Sequence, residues 1–171
     1  MKKTFVYTAL LAITIIPSTA SAENFFVGLN MGYADASVSV SDSDSDSDDD
    51  VIYGIEAGTH WGPNHRFTFG YSDQDLGKID IDVFNIDYDY LIPVGERFNL
   101  SVGAHTGYTS WETKDFDSDG LNYGAQIGAE FWLTKGIALG AEYRYSFTDA
   151  EDHAVELEDT DSFTANIAYH F

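Results

Sequence analysis

Several things are scarce in this 171-residue chain. It has no cysteine. Disulfides, thiolate metal centres and cysteine nucleophiles are therefore excluded. It has only three prolines, so few positions forbid a donor in a hydrogen-bonded ladder. Eight basic residues stand against 29 acidic ones, a formal charge of -21. A nucleic-acid partner is excluded by that balance, because phosphate neutralisation needs lysine and arginine. No segment approaches the ~20 consecutive apolar residues of a spanning helix. Any membrane crossing must then be made by a closed barrel, in which every backbone group is paired.

The one clear apolar run lies at the N-terminus. Met1-Lys2-Lys3 is basic, Thr4 to Ile16 is apolar, and Ala20-Ser21-Ala22 is a small-x-small pattern. This is the layout of a cleaved secretory signal over residues 1–22, leaving a mature chain of 23–171. Its loss also removes Lys2 and Lys3.

The segment 121–133 sets the pattern for the rest. Leu121, Tyr123, Ala125, Ile127, Ala129, Phe131 and Leu133 alternate with Asn122, Gly124, Gln126, Gly128, Glu130 and Trp132. A period of two puts the two sets on opposite faces of a strand. The apolar face, aromatic towards its ends, suits lipid; the polar, glycine-rich face suits a narrow interior. The same alternation recurs at 25–34, 51–61, 66–72, 84–92, 98–109, 137–147 and 162–171. Connections alternate strictly between long and short. The short ones hold Pro63 and Asn64, Pro93 and Gly95, or Gly136. The expected fold is all-β: an eight-stranded antiparallel up-and-down transmembrane barrel. A soluble ligand-binding barrel would carry its apolar face inside, the reverse of this arrangement.

Four stretches fit the pattern less simply. Residues 36–50 are polar and end in a serine-aspartate repeat, expected to be a loop. Glu112 to Gly120 and Thr148 to Asp161 are likewise expected to be acidic loops. Ile79, Ile81 and Val83 are out of phase with Phe84, Ile86 and Tyr88. Either a bulge resets the register, or the strand projects past the membrane with Asp80 and Asp82 facing water. Projection is the preferred reading.

Taken together, the signal, the eight alternating segments, the loop asymmetry and the terminal Ile167-Ala-Tyr-His-Phe171 resemble the small outer-membrane β-barrels of the OmpX/Ail type and the OmpA barrel domain. The resemblance covers the whole mature chain. It implies an integral protein of the Gram-negative outer membrane, monomeric, with both termini in the periplasm. Tyr169 and Phe171 resemble the C-terminal signal read by the outer-membrane assembly machinery. No soluble domain is expected after Phe171.

Within the expected interior, Glu56, Asp87, Asp89, Glu130 and Glu142 face Arg66, Arg97 and Arg144, with His105 nearby. Glu56, Asp87, Glu142 and Arg144 should lie at mid-height, the other four lower. Buried charges need partners, so these are expected to form a plug. A narrow cation-preferring, porin-like channel is the alternative. Asp115, Asp117 and Asp119, followed by Gly120, match the first half of a calcium loop. The twelfth position is Gln126 rather than the required glutamate. No cofactor is expected beyond weak divalent-cation binding by loop acids. Of the 29 acids, 22 fall in the long connections. They make a solvated rim, a cation trap, or cation bridges to lipopolysaccharide and the surrounding lipid. No serine-histidine-acid order stands out, and no enzyme activity is expected.

Overall fold

The computed structural model describes residues 24–39, 50–75, 80–112, 117–149 and 156–171. The signal segment 1–22, the repeat at 41–49 and Asp115 lie outside them. Eight strands follow one another in chain order: β1 (Phe25–Ser39), β2 (Asp50–Trp61), β3 (His65–Asp75), β4 (Asp80–Pro93), β5 (Phe98–Glu112), β6 (Asp117–Trp132), β7 (Ile137–Asp149) and β8 (Glu156–His170). Each pairs with its sequence neighbours and β1 closes on β8, all antiparallel. Closure leaves no open sheet edge, the condition for placing strands in lipid.

Alternation then sorts the side chains. Leu29, Met31, Phe69, Val102, Ile127 and Phe163 are among many large apolar residues pointing outwards and exposed. Such a continuous apolar belt is foreign to a soluble monomer and is what a barrel presents to acyl chains. The opposite phase points inward and is mostly polar: Asp87, Asp89, Gln126, Asn122 and Glu130 are buried. With eight strands the interior is just wide enough for these side chains to fill.

The tight turns all lie at one end. Gly62 adopts φ 69° between β2 and β3, a left-handed conformation that favours glycine. Asn64 ties that turn to β4, exchanging hydrogen bonds of 2.7 and 2.8 Å with the backbone of Leu91. Between β6 and β7, the Thr134 hydroxyl accepts from the Gly136 and Ile137 amides at 3.2 and 3.0 Å.

At the other end the strands run further than their hydrophobic pattern. Asp75 pairs with Asp80, Glu112 with Asp117, and Ser39 with Glu156. Acidic stretches expected to be loops (36–39, 117–120 and 156–161) are therefore ladder. Beyond the bilayer both faces of a strand meet water, so the apolar-polar alternation fades while backbone pairing continues. β4 shows the same thing. Its pairing with β3 and β5 carries no register shift, so Ile81 and Val83 belong to a projecting strand, not a bulge; Ile79 lies outside the described residues. Val83 is buried inside, and Asp82 faces outward. A register shift does occur between Ser37 and Val38, where β1 meets β8.

Candidate functional site

The barrel interior concentrates the ionisable side chains, in layers set by the register. Its floor, at the short-turn end, is aromatic. His170 stacks on His60 at 5.3 Å and on Phe26 at 5.1 Å between ring centroids. Trp132, the misfit of its polar face, packs on His170 at 4.3 Å. Leu91, Ala138 and Ala168 are buried at the same level.

Above the floor, Arg66 of β3 stands opposite Asp89 of β4 in the ladder. Its Nε and Nη2 donate to Asp89 Oδ2 at 3.0 and 2.9 Å. Its Nη1 reaches Glu130 Oε2 at 3.4 Å, and Nη2 lies 3.8 Å from Glu142. Asn99 donates to the other Glu130 oxygen at 3.1 Å. The next layer is built on Arg144 of β7, which donates to Glu142 at 2.6 Å and across the interior to Asp87 at 2.8 Å. Glu142 therefore joins the two layers. Arg66, Arg144, Asp87, Asp89, Glu130 and Glu142 are thus brought together in two layers. Glu56 faces the same interior and accepts from Asn30 at 3.5 Å.

Arg97 does not join them. It lies in the β4–β5 turn, exposed, with only its backbone engaged: its carbonyl accepts from the Trp132 amide at 2.9 Å. The strand begins one residue later, at Phe98, so inward alternation does not extend to position 97.

Partners that charge-centred reading passes over complete the network. Gln126 donates to Asp89 Oδ1 at 2.8 Å, which leaves its Oε1 to accept from His105 Nδ1 at 3.2 Å. With that ring neutral, its Nε2 accepts from the Ser146 hydroxyl at 2.9 Å. A serine-histidine pair does exist, then, on two strands distant in sequence. The signal for Gln126, Asn99 and Ser146 was their phase: each shares the inward face with the acids.

Space for these side chains comes from glycine on the adjacent strand. A Cβ on Gly28 would fall 2.6 Å from a Glu56 oxygen, and one on Gly103 2.4 Å from Asp89 Oδ1. Gly70 differs: its nearest neighbour would be Asn85 Cβ at 4.0 Å. It borders a polar cavity of about 50 Å³, also lined by Asn30, Glu56, Asn85, Asp87, Glu142 and Arg144.

On the outer wall, tyrosine hydroxyls donate to aspartates where the belt gives way to the acidic end. Tyr71 reaches Asp82 at 2.5 Å and Tyr145 reaches Asp159 at 2.6 Å; Tyr143 bonds Asp161, and Tyr108 bonds Asp119. These pairs mark the boundary between lipid-facing rings and water-facing acids. Asp119 and Asp117 thus stand on a paired strand instead of a free loop. At the opposite end, Tyr169 and Phe171 are exposed and pack edge-on at 5.2 Å. The Phe171 amide donates to the Phe25 carbonyl at 3.0 Å.

The sequence matches the family model described as the outer membrane protein beta-barrel domain over residues 8–171. No curated protein sequence matches it. Among solved structures, it is similar to Neisserial surface protein A (NspA): TM-score 0.70, 19% identity, covering 86% of this chain and 97% of that one. The outer membrane enzyme PagL gives TM-score 0.56 at 13% identity, covering 85% of this chain and 99% of that one. Ail, the attachment invasion locus protein of Yersinia pestis, gives 0.50 at 16%, covering 85% and 98%. At these identities the likeness is one of fold.

Proposed function

This chain belongs to the outer membrane protein β-barrel family, an integral protein of the outer membrane, and from that premise we propose that it is a non-enzymatic barrel with a plugged interior whose acidic end is its working surface. The observation that supports the plug is the two-layer network. Asp87, Asp89 and Gln126 are at most 2% exposed, and two guanidiniums link four carboxylates across the interior. In that setting the short-turn end faces the periplasm. The long, acidic end faces outside, among the anionic head groups of lipopolysaccharide. Acids there serve either as a solvated rim or as points where divalent cations bridge protein to lipid phosphate. Asp117 and Asp119 stand on β6 at that end, and the run that starts at Asp115 has Gln126 where a complete calcium loop needs a glutamate. The barrel functions as a monomer and takes no cofactor in this reading.

PagL shows that this fold can carry an enzyme. Against an enzyme here stands the position of Ser146 and His105, which face the interior instead of the lipid boundary where a lipid substrate would lie. A narrow cation-preferring pore is the second reading. It is favoured by the composition of the interior, five carboxylates against two guanidiniums among the described residues.

Planar-bilayer recording of the refolded barrel tests the proposal. Stable insertion with no steady conductance supports the plug. Reproducible cation-selective steps would reject it in favour of the pore.

A further inference from the structure

We propose that the cavity between Glu56, Asp87 and Glu142 is a binding site for one small, partly hydrated monovalent cation. The site lies inside the barrel and is independent of the role given to the acidic rim.

The first support is an oxygen without a donor. Asp87 is 2% exposed. Its Oδ2 takes Arg144, while its Oδ1 has no hydrogen-bond partner. A buried carboxylate oxygen is not left bare without a cost. Asp87 lines the cavity, so an occupant of that space would lie beside this carboxylate.

Charge is the second support. Glu56, Asp87 and Glu142 line the cavity with only Arg144 among them. Arg144 is already committed to Asp87 Oδ2 and Glu142 Oε1. Arg66 is held chiefly by Asp89 and Glu130. Glu56 accepts from the Asn30 amide at 3.5 Å and feels Arg66 and Arg144 only from a distance, with no ion pair in contact among the described residues. The histidines facing the interior do not fill the deficit: His60 and His170 stack in the floor, and His105 is bonded to neutral Gln126 and Ser146. A carboxylate removed from water without a cation in contact is disfavoured and must either take a proton or gain a partner; a mobile cation is the partner assigned here.

Space and ligand geometry choose the ion. Other inward glycines, such as Gly28 and Gly103, are pressed against their neighbours, but Gly70 leaves open room. A cavity of about 50 Å³ holds a few water positions, at roughly 10–15 Å³ of probe volume each. Among the described residues, no three carboxylates or imidazoles are close enough together to chelate a metal directly. A calcium ion needs about 6–8 oxygens and magnesium retains most of its waters. The cavity is too small for a fully hydrated divalent ion and too open for a dehydrated one. A sodium- or potassium-like ion with a few waters fits both limits.

The test is thermal unfolding of the refolded full-length mature chain at fixed pH and ionic strength, exchanging choline chloride for sodium or potassium chloride. The expected result is a saturable rise in Tm with sodium or potassium. Glu56→Gln should weaken the apparent affinity at least tenfold, and Gly70→Val, which fills the cavity, should abolish the response. Either variant suffices if the other fails to fold. Equal Tm in choline, sodium and potassium would overturn the proposal and leave water as the occupant. So would a response unchanged in both variants, which would place the ion on the rim. A response to calcium alone, lost in Glu56→Gln, would overturn the monovalent assignment.

Discussion

Arg144 on β7 and Asp87 on β4 stand three strands apart around the barrel, yet their side chains meet across the interior at 2.8 Å. Arg144 also holds Glu142 at 2.6 Å. Removing it would leave buried Asp87 without its cation and Glu142 with only Arg66, 3.8 Å away. Breaking a buried ion pair from one side costs about 3–5 kcal/mol. Arg144→Ala should therefore unfold well below the wild type in a heat-modifiability gel or a circular-dichroism melt. Adding Asp87→Asn to Arg144→Ala should recover part of the loss, because one orphaned charge is gone. An unchanged Tm in Arg144→Ala would mean that the pair contributes nothing to stability.

Gly103 and Gly70 face the same interior and should respond oppositely to a methyl group. At Gly103 the added Cβ would lie 2.3 Å from the Tyr88 carbonyl oxygen and 2.4 Å from Asp89 Oδ1. Backbone cannot move aside easily, and overpacking of this kind costs about 1–3 kcal/mol. At Gly70 nothing lies closer than 4.0 Å. Gly103→Ala should lower the unfolding midpoint in urea, whereas Gly70→Ala should stay within about 0.5 kcal/mol of wild type. Equal effects would show that the two sites do not differ in packing.

That contrast also shows what the sequence made legible. A period of two is a backbone property, so the inward face could be read wherever one side met lipid. Glu56, Asp87, Glu142 and Arg66 fall on that face, and counting along the strands sets Arg66 and Arg144 at different heights. The reading failed at the ends. Extending the alternation one residue into the turn points Arg97 inward, but no sheet enforces it there and the side chain is exposed. At Asp117 and Asp159 the pattern predicts loop, because water on both faces erases the alternation while the backbone stays paired. Pair identities were not legible either. The reach of Arg144 from β7 to β4 depends on side-chain geometry within the closed barrel, as does the meeting of His105 with Ser146.

Ser146 and His105 offer a direct check on the non-enzymatic reading. The hydroxyl lies 2.9 Å from His105 Nε2, a spacing that could activate a serine. The histidine's other nitrogen meets the neutral amide of Gln126, however, in place of a carboxylate. An orienting carboxylate also stabilises the imidazolium that forms, which a neutral amide does less well. Folded protein exposed to a fluorophosphonate probe should remain unlabelled as judged by intact mass. Labelling at Ser146, removed in Ser146→Ala, would make the barrel a serine hydrolase and end the non-enzymatic proposal.

Phe171 separates a folding role from an assembly role. Its ring is about half exposed and sits on the lipid face beside Tyr169, while its backbone amide, not its side chain, joins β8 to β1. A charged residue near the membrane boundary costs only about 0–1 kcal/mol in a barrel. Phe171→Asp should therefore refold in vitro into lipid vesicles almost as well as wild type. If the terminal aromatic is read by the assembly machinery, the same variant should be depleted from the outer membrane of cells several-fold. Loss in cells together with loss in vesicles would assign Phe171 to barrel stability. Normal levels in both would remove any special role for the terminal ring. Only failure confined to cells fits recognition by a partner, because a side chain outside the ladder can then matter to insertion without mattering to the folded state.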